Sequence, residues 1–251
     1  MMTIFRIFLK NAVRDVYLLF WSILLPLGML IGLGLYFNTP EYHVRLLAGV
    51  IGTSALFWAL ETTVFYILKQ RNRGVYKLLR VTPMKIFSFI IALTLAWTVV
   101  SLAVATILLI GGLVLFGIRM QFGTLLIFYV TLVTATICFT LISFVVANIS
   151  KNEGQASIYS NIFAMPMLFL SSAFYSLDTA PTWIKTLSRL NPFSHFVSGL
   201  HSTIVFDLRG AAANLFILLA FGVLALIAAI LTFRWDSDCL LVGGFLNYIR
   251  I

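Results

Sequence analysis

The sequence predicts an all-α protein that crosses a membrane several times, and three observations carry that prediction. Of the 251 residues, 61% are hydrophobic and only 10% charged, against about half and a quarter in soluble domains. Mean hydropathy is +1.06. Several apolar runs exceed the ~18 residues that mark a spanning helix. With 15% aromatics and six prolines, the chain is neither disordered nor fibrous. Cys138 and Cys239 match no disulfide, zinc or CxxC spacing and read as packed thiols. A formal charge of +9 beside apolar spans fits topology signals and contact with anionic membrane lipid, not a nucleic-acid partner.

The first element is expected over 2–16. There Arg6, Lys10 and Arg14 recur every four residues, on one face of a helix whose remaining surface carries Phe5, Phe8, Leu9 and Val13. Such a helix lies along the membrane surface. No small-residue cleavage site closes the apolar run that follows, so it is read as a permanent span and not a signal peptide. Six spans are predicted at 17–37, 46–68, 86–110, 124–147, 158–177 and 214–233, each near the ~20 residues a bilayer requires. The third belongs to an uncharged run, Ile86 to Phe116, that is longer than one crossing needs. The fifth carries Pro166 and passes into a segment with Pro181, Pro192, His195 and His201, where short or re-entrant helices are expected over 178–213. The whole chain, 1–251, reads as a single transmembrane domain.

Short loops rich in Lys and Arg stay in the cytoplasm. With the N-terminus inside, the cytoplasmic segments hold Arg6, Lys10, Arg14, Lys69, Arg71, Arg73, Lys77, Arg80, Lys85, Lys151, Arg234 and Arg250. Both termini are therefore expected in the cytoplasm of a multi-pass protein of the plasma or inner membrane. No GxxxxGK[ST] occurs, so ATP hydrolysis is not expected in this chain. Glu61 is the only acid well inside a predicted span, which weighs against an ion-driven pump.

The loop after the second span, 69–85, holds six cations and no acid. It reads either as a stop-transfer loop or as a docking element. Gly74 permits a turn, Val75, Leu78 and Leu79 fall at the i, i+3 and i+4 positions of a short helix, and Thr82-Pro83 ends it. This order resembles the permease subunits of ABC-2 type exporters, with Arg71, Arg73, Gly74, Leu78, Leu79, Arg80, Thr82 and Pro83 at matching places. The acids that commonly precede the glycine are absent here, Gln70 and Asn72 standing in that region, so the resemblance lends no salt bridge from them. A second match lies before the last span, where Pro181, Trp183 and Ile184 are followed by Leu190, Asn191, Pro192 and Phe193. Pro181 and Asn191-Pro192 suit helix starts and Trp183 a membrane interface.

The resemblance covers nearly the whole chain. It implies a coupling helix in the 69–85 loop that docks into a partner ATPase. It also implies two ATPase subunits that bind ATP and Mg, a second permease subunit, identical or related, and outward movement of a drug, peptide, lipid or glycolipid through the central interface. No cofactor is expected in this chain itself, and it is not expected to be an enzyme. An ion-coupled carrier or channel working without an ATPase is the alternative.

Individual residues have more than one reading. Glu61 is costly in hydrocarbon unless paired, protonated or facing water. It either lines a pathway or dimer interface, with Thr62, Phe57 and Trp58 beside it, or partners a nearby hydroxyl or cation. The segment with Pro181, Trp183, Asn191, Pro192 and Phe193 is either a seal or gate at the extracellular mouth or a direct substrate contact. His195, His201 and Asp207 are six apart, which does not place them on one helical face, and no metal site is expected. The Lys151–Gln155 loop reads as a plain turn more readily than as a second ATPase contact.

Overall fold

The computed structural model describes residues 2–14, 16–74, 86–176 and 180–232, and among these the regular structure is helical throughout. Helix α1, Met2–Arg14, leaves Arg6, Lys10 and Arg14 exposed and buries Phe8. α2 covers Val16–Tyr36 and holds Pro26 in its interior. α3, Pro40–Phe57, opens with proline in its first turn and runs into a π-helical turn, Trp58–Thr62, and then α4, Thr63–Asn72. α5, Ile86–Phe116, takes up the whole uncharged run as one helix of 31 residues. α6 is Phe122–Ile149, α7 Glu153–Phe169, α8 Thr182–Arg189, α9 Pro192–Ile204 and α10 Leu208–Leu231.

Five segments are long and apolar enough to cross a membrane: Leu19–Tyr36, Pro40–Asn72, Ile90–Phe116, Phe122–Ile149 and Leu208–Leu231. The helix expected at 158–177 begins earlier and ends at Phe169, giving 17 residues, because the chain turns at Leu170 and bends through 171–175. The short helices expected between 178 and 213 are α8 and α9. Of the loop 69–85, the structure describes Lys69 to Gly74, so Val75, Leu78, Leu79, Arg80, Thr82 and Pro83 lie outside the described residues.

The bundle has two distinct ends. At one, the basic end, Phe8 of α1 meets Tyr66 of α4 edge-on at 5.8 Å, and Asn148 near the end of α6 donates to Thr232 at 3.4 Å. Arg71 donates from both terminal nitrogens into the carbonyl end of α6, to Ala147 O at 3.1 Å and to Ser150 O. The last carbonyls of a helix have no intrahelical partner, and a guanidinium placed there satisfies them and meets the negative end of the dipole. Gly74, at φ +73°, follows this anchor in the left-handed region that glycine enters without steric cost. At the far end, His43 stacks on Phe116 at 4.2 Å and its Nε2 lies 3.0 Å from Gly34 O, tying α2, α3 and α5 together.

Asn191 does for α7 what Arg71 does for α6. Its amide nitrogen donates to Met167 O at 2.7 Å and Leu170 O at 3.1 Å, while its carbonyl oxygen accepts from Phe193 N–H at 3.0 Å to cap α9. Side-chain amides are suited to this double role because they carry donor and acceptor on one plane. Asn191 thus fixes the turn at 170 to the start of α9.

Two apolar clusters fill the interior. Leu46, Leu47, Ile51, Phe128, Phe139, Phe193 and Phe196 form the one toward the far end, and Phe8, Trp58, Leu68, Leu93, Trp97 and Phe144 the one toward the basic end. The outward faces of α2 and α10 are apolar too, with Phe20, Leu24, Leu35, Phe216, Val223 and Leu224 exposed, as hydrocarbon contact requires. Several hydroxyls inside the bundle bond to the preceding turn, as Thr131 does to Ile127 O at 2.9 Å and Thr136 to Leu132 O at 2.6 Å, while those of Thr94, Ser101, Thr140 and Ser160 are buried without a partner among the described residues.

Because lipid tails are as apolar as the side chains, close packing holds such helices together more than water exclusion does. Gly49 shows it: a Cβ there would run into the backbone carbonyl of Ala173. Gly49→Ala is therefore expected to lower the melting temperature of the purified protein by several degrees, on the ~1–3 kcal/mol scale of overpacking. Gly28→Ala, where nothing lies within 4 Å, should leave it unchanged. Asn191→Ala removes three hydrogen bonds at once and is expected to cost about 2–4 kcal/mol in the same assay.

Candidate functional site

The continuous helix Pro40–Asn72 presents one polar-flecked stripe along its length. Val50, Thr53, Ser54, Phe57, Trp58, Glu61, Thr62, Phe65, Tyr66, Lys69, Gln70 and Arg73 follow one another at steps of three or one, the spacing of a single helical face. Two clefts, each of about 550 Å³, lie along this stripe. The first is mostly apolar. Trp21, Ser22, Leu25, Pro26 and Met29 of α2 form one wall, the stripe from Val50 to Thr62 forms the other, and Leu168 and Phe174 close it. The second, nearer the basic end, is polar, with Asn11 of α1, Phe65, Tyr66, Lys69, Gln70, Arg73, Trp97 of α5 and Glu153 of α7 around it.

Trp58, Glu61 and Thr62 border both clefts. All three belong to the π-helical turn, a feature that forfeits regular i→i−4 hydrogen bonding and is found often at functional sites. Glu61 is half-buried and makes no hydrogen bond or ion pair with another described residue. The indole N–H of Trp58 and the hydroxyl of Thr53 are buried without a partner among the described residues. Pro26, in the α2 wall of the first cleft, lacks the N–H that would have bonded Ser22 O. The aromatic boundary is fixed by contacts at 5.6 Å between Trp58 and Trp97 and 5.3 Å between Tyr66 and Trp97. What this arrangement can do chemically is hold a molecule that is largely apolar, offer it aromatic faces and present one carboxyl group and a few donors.

Phe57, Trp58, Glu61 and Thr62, expected to share a surface, do share the first cleft. Arg73 faces the second cleft. Arg71, expected to serve an ATPase contact, directs two guanidinium nitrogens into the fold at α6. Arg6, Lys10 and Arg14 stay on the exposed face of α1, while Asn11 on that helix reaches Tyr66 at 3.4 Å. The Pro181–Phe193 segment sits at the far end, away from both clefts. Trp183 is exposed, Asn191 and Pro192 are buried, and Phe193 packs against Phe139 and Phe196. Pro181 precedes the first turn of α8 and accepts from Ile184 N–H at 3.0 Å. His195 bridges the end of α8 to α10, with Nε2 2.8 Å from Arg189 O and Nδ1 2.8 Å from Asn214 Oδ1. No group of metal-ligating side chains occurs among the described residues.

Reading the sequence missed the α2 wall, Thr53, Ser54 and the π turn. Thr53 and Ser54 lie two turns before Glu61 on its own face, and Pro26 interrupts an otherwise uniform span, so each left a signal. The π turn left none, since no residue type marks it.

The ABC-2 type transporter family model matches residues 1–205 of the chain. The chain is also 24% identical over 156 residues, 62% of its length, to the probable multidrug ABC transporter permease YbhR of Escherichia coli strain K12, and to its counterpart in Escherichia coli O157:H7. The aligned part amounts to 42% of those relatives, so the chain spans less than two thirds of their length. In a protein whose Cys239 is replaced by serine, Thr62→Cys is expected to react with a small water-soluble thiol reagent. The fully buried Cys138 should not, as labelling followed by mass spectrometry will show.

Proposed function

The chain belongs to the ABC-2 type transporter family, and on that premise we propose that it is the membrane-spanning permease subunit of an ATP-binding cassette exporter. Its cargo is hydrophobic or amphipathic and moves outward by alternating access, driven by separate ATPase subunits. The observation that carries this reading is the continuity of one rigid element. The cleft residues Thr53 to Thr62 and the basic residues Lys69 and Arg71 stand on the same helix, Pro40–Asn72, about 50 Å long at 1.5 Å per residue. A push on the segment beyond Gly74 is carried along that helix to the level of Glu61, where the π turn is the point that can yield. α1, resting on α4 and α5 through Phe8 and Asn11, adds a second lever at the same end.

ATP and Mg belong to the partner in this reading, and two ATPase copies serve a pair of permease subunits. The basic end faces the cytoplasm, as the positive-inside rule requires. Arg71 keeps the lever attached to α6 while Arg73, Val75, Leu78, Leu79, Arg80, Thr82 and Pro83 supply the docking surface. The first cleft accepts the cargo, and Glu61, Trp58 and Thr62 orient it where the apolar and polar clefts meet. The multidrug label borne by the Escherichia coli relatives agrees with an apolar, aromatic cleft of this size.

The test uses the tagged protein extracted from its own cells in mild detergent, with mass spectrometry of the soluble proteins retained. A stoichiometric P-loop ATPase is expected, and it is expected to be lost with the double substitution Leu78→Asp, Leu79→Asp while membrane insertion persists. Recovery of the protein alone, competent in transport without ATP, would overturn the reading in favour of a carrier or channel. Glu61→Gln is expected to reduce export of a lipophilic dye about tenfold or more without loss of ATPase binding.

A further inference from the structure

A third pocket, of about 280 Å³, opens at the far end of the bundle, and the proposed function makes no use of it. Three elements meet there. Arg45 comes from the second turn of α3, Ser172 and Ser176 from the turn after α7, and Ser198, His201 and Ser202 from one face of α9. Val197 supplies an apolar wall, and among the described residues no carboxylate lines the pocket.

Arg45 is half-buried and makes no ion pair or hydrogen bond with another described residue. Four residues earlier, Glu41 is exposed. Asp207, the acid next to α9, is engaged as the cap of α10, accepting from Gly210 N–H at 3.0 Å. The hydroxyls of Ser172, Ser198 and Ser202 are likewise unengaged with any described residue. Burial, and then the charge of Arg45, hold His201 below the ordinary histidine range, so near neutral pH it is a neutral imidazole with one N–H to donate.

One guanidinium fork, several hydroxyl donors and a neutral imidazole, with no acid among the described lining residues, make a site for a tetrahedral oxyanion. Arg45 is five residues beyond Pro40, the first residue of its spanning helix, or about 8 Å along it at 1.5 Å per residue. A cation at that position reaches the interface where lipid phosphates lie. We propose that this pocket binds a phosphate group, supplied by the headgroup of a membrane phospholipid.

The full-length protein, purified in mild detergent, would be titrated with phosphatidylglycerol, phosphatidylcholine, diacylglycerol and inorganic phosphate, with binding read by native mass spectrometry and by melting temperature. Both phospholipids are expected to bind and stabilise, and diacylglycerol to do neither. Arg45→Gln is expected to weaken phospholipid binding about tenfold, and the double substitution Ser198→Ala, Ser202→Ala to weaken it in the same direction. If Arg45→Gln does not fold, Arg45→Lys and the serine pair give the same reading. Millimolar inorganic phosphate that displaces the lipid and stabilises by itself would keep the phosphate site but move its source to a free phosphate. Diacylglycerol binding as well as phosphatidylglycerol, or variants that retain wild-type affinity, would overturn the proposal.

Discussion

The two hydrogen bonds from Arg71 into the end of α6 decide where the rest of the molecule can stand. Inside or beside a bilayer the final carbonyls of a helix cannot be left to hydrocarbon, and a long cationic side chain is one of few groups able to reach them while its stem packs on apolar surface. The same contact docks α4 on α6 and sets the height of the whole Pro40–Asn72 helix. Asn191 gives the far end a neutral counterpart by joining the carbonyls after α7 to the start of α9. Between these two anchors, the interior needs little beyond close-packed side chains and hydroxyls bonded to their own helices.

Other polar groups in the interior have no partner among the described residues. The indole of Trp58 and the hydroxyl of Thr53 are two of them, on and beside the π turn, and Thr94, Trp97, Ser101, Thr140 and Ser160 are others on α5, α6 and α7. Each costs stability. Glu61 stands with Trp58 where an apolar and a polar cleft meet.

The ends of the molecule divide the chemistry. Cations of α1, Lys69, Arg71, Arg73 and Lys151 gather at one end. The other end is closed by the short helices α8 and α9; there Arg45 lines a pocket, while Glu41, Arg119, Arg189, Asp207 and Arg209 are exposed.

Composition and hydropathy alone determined that the chain is all-helical and membrane-spanning, because a bilayer admits few other solutions for apolar runs of this length. They also placed Glu61 with Phe57, Trp58 and Thr62, because helical spacing fixes which neighbours share a face. Asn191-Pro192 was legible as a helix start for the same local reason. Tertiary structure decided what lies across from each face. Only there do Pro26 and Thr62 come to line one cleft, Arg71 reach the end of α6, and Arg45 share a pocket with four serines from two distant segments. Those pairings depend on how helices separated by tens or more residues pack, and no local period encodes them. The π turn also belongs to that category, since one extra residue in a helical turn is tolerated or not according to its neighbours on other helices.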